Sequence, residues 1–548
     1  MVLGREQTAA ITRQWALALT EIESVSGGAG EAALGPWLRD ALAADPAFGG
    51  AECWSFPVRE GDGRHCVAML LRGSGRETLI LTGHFDTVSI EDYGELRPLA
   101  TQPDALAERL KLRLETAAHT AAEQRAKADL ASGDFMPGRG LLDMKAGLAA
   151  GLAVCADYAA DQNRSGNLLF LAVPDEEVNS VGARAAAAML PQIARDKNLD
   201  LVGAVNLDAI SDDSEDGHRG RVIALGTIGK VLPTAYVVGV PAHSGFPLAG
   251  INAAALAGAI AARVEWAPEL TDDSAGETPG TLPSLLSLSD GKPGYDVTTP
   301  GTAFASFNVL SYRRSPETVM NSFEALCREA ADTFLEGLKK RLAGTRSQDR
   351  ETVLDRRITL YRYETLLKKA VAVDPNHASL IEQFAGELAA SALSLPEQCR
   401  RLTERTWMLS GFSGPAIVLG FGSIPYLPTN LSEAPAARKL HQAAEALAKA
   451  AQSKYGVSLQ TTGHFAGISD MSFFGEADEA DLAVVAANTP MWKAGIRWPD
   501  QGGVAGVPTI NLGPWGRDYH TPLERIHVPY GFDILPRLLI DLTRRVLG

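Results

Sequence analysis

Between Glu77 and Val88 the chain reads ETLILTGHFDTV, an apolar run that stops at Gly83 and then presents His84 and Asp86. Leu79, Ile80 and Leu81 have the character of a strand covered on both faces, which obliges the fold to supply layers on either side. Residues i and i+2 of an extended segment point the same way. Asp86 can therefore accept a hydrogen bond from one ring nitrogen of His84 and leave the other for a metal. Taken alone, a His and an Asp after a strand are an ordinary polar turn. The pattern recurs, however: Leu168 to Val173 runs into Pro174-Asp175-Glu176-Glu177, and Leu201 to Leu207 ends at Asp208. Helical stretches separate these runs, and the alternation predicts a mainly parallel, mixed α/β sheet flanked by helices.

The alternation stops near Gly220. Arg221 to Leu225, Ala235 to Val240 and Ala303 to Ser311 read as further strands. Helices are expected at Ile251 to Glu265 and Pro316 to Leu342, with a Gly- and Pro-rich loop over 271–301. Ile417 to Leu419 resumes strand character, and helices follow at Ala436 to Tyr455 and Tyr530 to Val546. At 548 residues the chain exceeds one hydrophobic core. This predicts one α/β domain in two parts, 1–226 and 413–548, around an inserted α+β domain with extra helices, 227–412. Residues 102–131 read as a mostly solvated surface insertion, and 350–408 as charged helix without legible chemistry.

A formal charge of −15 argues against nucleic acid or an anionic membrane as a partner. The five cysteines are widely spaced and contain no C-x-x-C pair, which fits buried thiols in a reducing compartment. MVLGREQTAAITRQW lacks the apolar core of a signal peptide, and no apolar run is long enough to span a bilayer. A cytoplasmic location is expected.

The polar groups at strand and loop ends are His84 with Asp86, Asp143, Glu176 with Glu177, Asp208, and His520 followed by Glu524. In open α/β sheets, ligand sites form beyond the carboxyl ends of the strands, so one crevice can collect them. Two histidines with several carboxylates and no cysteine suit zinc, cobalt or manganese in a catalytic site, and the carboxylates suffice for a bridged pair of ions. Scattered caps and salt bridges are the competing reading. Glu176 and Glu177 are indistinguishable at this level. Neighbours on a strand point opposite ways, and only a turn at Pro174-Asp175 brings both to one site.

LTGHFDTV, GRGLLDMKAG, VPDEE, NLDA, PAHSGFP and GPWGRDYHTPLERI occur in the order found in the co-catalytic zinc peptidase/aminoacylase family. That family includes aminoacylase, glutamate carboxypeptidase, dipeptidases and succinyl-diaminopimelate desuccinylase. The chain resembles it from the first helix to the C-terminus, more weakly at 90–137 and 345–412. The closing segment GPWGRDYHTPLERIHVPYGFDILPRLL and the length are most similar to its arginine-utilisation branch. The resemblance implies a zinc-exopeptidase-like catalytic role for the two-part domain and a lid or dimerisation role for the inserted one. It implies two divalent ions, with zinc ahead of cobalt or manganese. His84 and Asp208 would bind one ion, Glu177 and His520 the other, and Asp143 both. It also implies a cis peptide at Asp143–Met144 and Asp86 orienting His84. Glu176 is implied as the general base, taking a proton from the attacking water and returning it to the leaving amine.

His243 matches a lid histidine that stabilises the oxyanion, often from a partner subunit; as a lone residue it reads as a turn histidine. Arg313 matches an arginine that holds a substrate carboxylate, with Arg314 as competitor and Ser311 where many relatives have Asp. Asp470 falls where relatives often have an Asp near substrate, and a helix N-cap is the equal alternative. The expected enzyme is a hydrolase of amide bonds in small carboxylate-bearing substrates, N-acyl amino acids or short peptides, with a possible link to arginine breakdown. A non-catalytic binding or regulatory member is the alternative. The long insertion leaves a homodimer through the inserted domain, or a monomer whose enlarged lid replaces the partner. No G-x-S-x-G elbow of a serine hydrolase is present.

Overall fold

The structure, a computed structural model, describes residues 3–212, 214, 217–272, 281–343, 356–465, 467–477, 479–499 and 502–548. It divides into two compact units. The first comprises Met1–Thr227, Thr429–Glu476 and Pro499–Gly548, and the second Ile228–Pro428 and Ala477–Trp498.

The first unit is built on an eight-stranded mixed sheet, in the order Glu52–Pro57, His65–Leu71, Asn167–Val173, Glu77–His84, Asp200–Asn206, Thr509–Asn511, Val222–Ala224, Gln460–Thr462. The consecutive strands from Asn167–Val173 to Thr509–Asn511 run parallel. Leu79, Ile80 and Leu81 are fully buried, as are Leu168 to Val173. Burying each such side chain contributes roughly 1.5–3 kcal/mol, which is why these uninterrupted apolar runs become central strands. Register then does the functional work. His84 lies opposite Val173, and Thr82 opposite Asn206. The residues that follow, Asp175 to Glu177 and Asp208, therefore emerge at the same edge as His84.

Two close approaches tighten that edge. The helix Ala146–Ala160 is lined with small residues, and a Cβ on Gly147 would sit 2.0 Å from the Leu207 carbonyl oxygen. A Cβ on Gly513 would meet the Asp208 carbonyl oxygen at 2.0 Å. Only glycine lets these backbones touch. A smaller sheet, in the order Phe135–Pro137, Arg525–His527, Trp515–Arg517, Ile210–Ser211, carries the loop containing His520 between its two antiparallel middle strands.

Residues 102–131 fold as Pro103–Ala117 and Ala121–Ser132, a helix pair whose outer face is exposed. The inner face differs from a solvated insertion. Leu106, Leu110, Leu114, Ala126 and Leu130 form a core of their own with Ile90 and Tyr93. Asp129 pairs with Arg525 and Arg517, at 2.6 and 3.2 Å, on the two strands that flank the His520 loop. No local pattern marks such a contact, because its members are almost 400 residues apart.

The second unit has a sheet in the order Gly229–Val231, Thr302–Ser311, Pro233–Val238, Ala416–Phe421, Thr359–Arg362, with Ser284–Asp290 paired along Thr302–Ser311. The helices Ala253–Val264 and Pro316–Ala343 join its core. Ala416–Phe421 pairs within this sheet, so the strand that sequence reading places in the catalytic domain's second part belongs here, and the division comes at Pro428. Ser284–Asp290 is a strand inside a stretch read as loop; its burial pattern does not alternate cleanly, and Gly and Pro flank it. Residues 273–280 of that loop, and 350–355 of the charged helical stretch, lie outside the described residues. The remainder of that stretch forms helices at Tyr363–Val373, His377–Ala389 and Leu395–Ser410.

Candidate metal centre

His84, Asp143, Glu177, Asp208 and His520 meet at the carboxyl edge of the central strands. Asp143 lies between the histidines: its Oδ1 is 3.2 Å from His84 Nε2 and its Oδ2 is 3.1 Å from His520 Nε2. A second carboxylate attends each imidazole. Asp208 Oδ1 is 3.8 Å from His84 Nε2, and Glu177 Oε1 is 3.2 Å from His520 Nε2. Ligand atoms about 2.0–2.2 Å from one tetrahedral ion lie roughly 3.4 Å from each other. Among the described residues, His84, Asp143 and Glu177 each place one ligand atom within 4.8 Å of the other two, as a shared ion requires. This donor chemistry, imidazole and carboxylate without thiolate, fits a divalent metal ion.

Several of the candidate ligands are held from behind. The Asp143–Met144 peptide is cis. The Asp143 amide faces Glu524 Oε1 at 3.5 Å, and buried Arg139 holds the other Glu524 oxygen at 2.8 Å. Asn511 accepts from the Asp208 amide at 3.1 Å and donates back to its carbonyl at 2.9 Å. Asp175 has φ +71°, an uncommon left-handed turn for a residue with a side chain. From that turn Glu176 and Glu177 both leave toward the site. Glu176 Oε2 is 4.0 Å from His84 Nε2.

His84 Nδ1 lies 3.1 Å from the Asp86 backbone carbonyl and 3.6 Å from its carboxylate. That carboxylate also accepts the amides of Glu176 and Glu177, at 3.0 and 3.2 Å, and the Ser26 hydroxyl at 2.7 Å. It thereby organises both the histidine and the turn that carries the two glutamates.

The electrostatics follow from packing this many carboxylates into a buried space. Burial drives Glu176 well above the usual carboxylate range, with Asp470, Asp208 and Glu177 adding to it against the pull of His84. Burial and Asp143 push Asp208 up to about 8. Asp143 goes the other way: burial opposes its charge, but hydrogen bonds from His520 and His84 hold it below the ordinary range. Burial also opposes a charged His520, yet its hydrogen bonds to Asp143 and Glu177 carry it up to about 10. The neighbouring carboxylates raise the proton affinity of both imidazoles against the cost of burial. A divalent ion would supply the positive charge that a bound proton brings.

Asp470 is buried beside this cluster, at the N-cap position of Met471–Phe474, and its side chain makes no cap hydrogen bond. Burial pushes it up to about 7 against the pull of His84 and Ser180. His243 and Arg313 belong to the second unit. His243 is exposed, in a loop bridged to Thr298, and its Nδ1 accepts the Gly245 amide at 3.0 Å. Arg313 is exposed, while the competing Arg314 donates its guanidinium to the Glu269 carbonyl. Sequence reasoning missed Arg139, Asp129 and Lys145. Lys145 is fully buried and donates to the Ile22 carbonyl at 2.9 Å; burial lowers it to about 7. A lysine inside the apolar-flanked LLDMKAG was the available signal.

The family model described as peptidase family M20/M25/M40 matches residues 80–491. Two proteins of Bacillus subtilis (strain 168) match nearly end to end. The uncharacterized protein YqjN is 31% identical over 531 residues, covering 95% of this chain and 93% of YqjN. Protein RocB is 30% identical over 551 residues, covering 96% of this chain and 94% of RocB. Among solved structures, an M20 family metallo-carboxypeptidase, Sso-CP2 from Sulfolobus solfataricus, shares the fold with a TM-score of 0.52 at 14% identity, over 98% of this chain and 99% of that one.

Proposed function

Because the chain belongs to peptidase family M20/M25/M40, and is thus an amidohydrolase of the metallopeptidase class, we propose that it cleaves an amide bond in a small carboxylate-bearing substrate with the aid of two divalent ions. The substrate class is N-acyl amino acids or short peptides. Likeness to RocB along nearly the whole chain agrees with the motif resemblance to the arginine-utilisation branch, so arginine and ornithine derivatives are the first to try. One observation supports the reading above all: Asp143 presents one oxygen to each of two imidazoles, and each imidazole has a second carboxylate beside it. Zinc is the first choice of metal, with cobalt and manganese accepted by the same donors.

His84, Asp208 and Asp143 would hold one ion; His520, Glu177 and Asp143 the other. Such ions supply Lewis-acid activation of water and polarisation of the carbonyl. The chain's own residues do the rest. Glu176 stands beside the ligand set without being needed in it, and its raised proton affinity suits a base that takes a proton from the attacking water and delivers it to the leaving nitrogen. Asp86 fixes the Glu176 amide and thereby the direction of that side chain. Asp470 lines the site as a candidate for substrate contact. From the second unit, His243 is proposed for the oxyanion and Arg313 for the substrate carboxylate. Glu176→Gln is expected to cut turnover by about 10²–10⁴ while metal content stays at the wild-type level. Retained turnover in that variant, or no hydrolysis by metal-loaded wild type across N-acyl amino acids and dipeptides, sinks the assignment. No finding favours the non-catalytic alternative.

A homodimer is the favoured assembly. Ser284–Asp290 pairs on one side only among the described residues, and Leu282, Leu286 and Leu288 are exposed on or beside it. An exposed apolar edge strand invites a second strand. Light scattering on active protein decides this; a fully active monomer excludes both the dimer and a partner-supplied His243. Among the described residues no helix is long and apolar enough to cross a membrane, and a cytoplasmic location is part of the proposal.

A further inference from the structure

Arg64 immediately precedes the strand His65–Leu71, and its guanidinium faces the nearby Asp62 and two carboxylates from distant parts of the chain. Nη2 is 3.1 Å from Asp62 Oδ2, Nη1 contacts Asp175 Oδ1 at 2.5 Å, and Nη1 lies 3.6 Å from Glu31 Oε2. The Arg64 side chain is 12% exposed, Asp175 4% and Glu31 fully buried. Buried charges persist in proteins only when paired, and Arg64 is the cation these three acids share. Its planar fork permits this: Nε and Nη2 take Asp62 while Nη1 reaches Asp175.

Two routes lead from Arg64 to the metal centre. The first is Asp175, whose left-handed backbone starts the turn from which Glu176 and Glu177 depart. Its other carboxylate oxygen accepts the Val181 amide at 3.1 Å. The second is Glu31, which accepts the Gly27 amide at 2.6 Å. The adjoining Ser26 donates its hydroxyl to Asp86, the carboxylate that takes the amides of Glu176 and Glu177. Both routes end on the same pair of glutamates.

Resting on the two-metal reading above, we propose that Arg64 is a positioning residue of the metal centre: by clamping Asp175 and Glu31 it sets the turn that aims Glu176 and Glu177. It touches neither ligand atoms nor substrate. Removing a brace of this kind costs about 10–100-fold in metal affinity.

The test uses metal-free full-length protein titrated with Co²⁺ and followed by visible absorption, with a thermal melt of each variant as the check on folding. Arg64→Met is expected to weaken Co²⁺ binding by about 10–100-fold. Arg64→Lys, which keeps the charge but cannot grip Asp62 and Asp175 together, should lie between Arg64→Met and wild type. The double variant Arg64→Met/Asp175→Asn should lose less than the product of the two single losses, since both remove the Arg64–Asp175 contact. Wild-type affinity in Arg64→Met, or losses that multiply in the double variant, overturns the proposal. Should Arg64→Met fail to fold, Arg64→Lys decides: a partial loss supports the clamp and unchanged affinity refutes it. A wild type that takes up no Co²⁺ overturns the two-metal reading itself and the clamp with it.

Discussion

Replacing Asp86 probes the centre where its construction is most concentrated. This fully buried carboxylate accepts the amides of Glu176 and Glu177 and the hydroxyl of Ser26. Asp86→Ala strands both amides, whereas Ser26 keeps the Thr87 carbonyl at 3.2 Å as an alternative acceptor. A donor left without a partner costs about 1–3 kcal/mol when buried, and both amides are part-buried, so Asp86→Ala should lose roughly 2–4 kcal/mol of stability. Asp86→Asn retains one acceptor oxygen and turns an NH₂ group toward the other amide. It should lose about 1–3 kcal/mol. The assay is urea unfolding of metal-free protein at pH 7, so that lost metal binding does not add to the difference. The pH is chosen from the sign of the shift. Burial opposes the charge on Asp86, but His84, Ser26 and the Glu176 amide outweigh it and hold the group below the usual carboxylate range. Its contribution is therefore complete above about pH 4, the unfolded value, and fades only as pH falls through the depressed one. An Asp86→Ala protein within about 1 kcal/mol of wild type would refute the claim that this carboxylate holds the glutamate turn.

Other perturbations address the ions and the histidines. Exhaustive chelation should abolish hydrolysis and lower the melting temperature, with both restored by zinc, cobalt or manganese; ion at 100 times its Kd stabilises by about 2.7 kcal/mol. A melt and an activity that chelation leaves unchanged would count against the metal centre. In metal-free protein the His520 proton is bound more tightly folded than unfolded, so its stabilising contribution is complete below about pH 6.5 and lost as pH rises through about 10. Metal competes for the same imidazole. Adding zinc near neutral pH should therefore release protons, measurable in a weakly buffered titration, and a proton count of zero would contradict the pairing of His520 with Asp143 and Glu177.

Much of the scaffold was legible because burial writes a local pattern. Leu79 to Leu81 and Leu168 to Val173 read as strands covered on both faces, and they are. The α/β class and the family followed from those runs and the motifs at their ends. Helices at Ala253–Val264, Pro316–Ala343 and Pro435–Tyr455 also lie where periodicity placed them. The edge strand Ser284–Asp290 was hidden because a strand with one open edge and a solvated face leaves no continuous apolar run.

Within the site the boundary is sharper. Local pattern nominated His84, Asp143, Glu176, Glu177, Asp208 and His520 as residue types at strand and loop ends, and said nothing of their spacing. Distances of 3.1 and 3.2 Å between Asp143 and two histidines, one 59 and the other 377 residues away, come from strand register and the flush packing of the Gly147 helix. The same holds for Arg64 between Asp62, Asp175 and Glu31, and for Asp129 on Arg517 and Arg525. Short-range sequence reports what each residue is and how its own segment is covered. Which charge finally faces which is settled only when the whole chain has folded, because a Coulombic or hydrogen-bonded partner acts through space and leaves no trace at a fixed interval along the polymer.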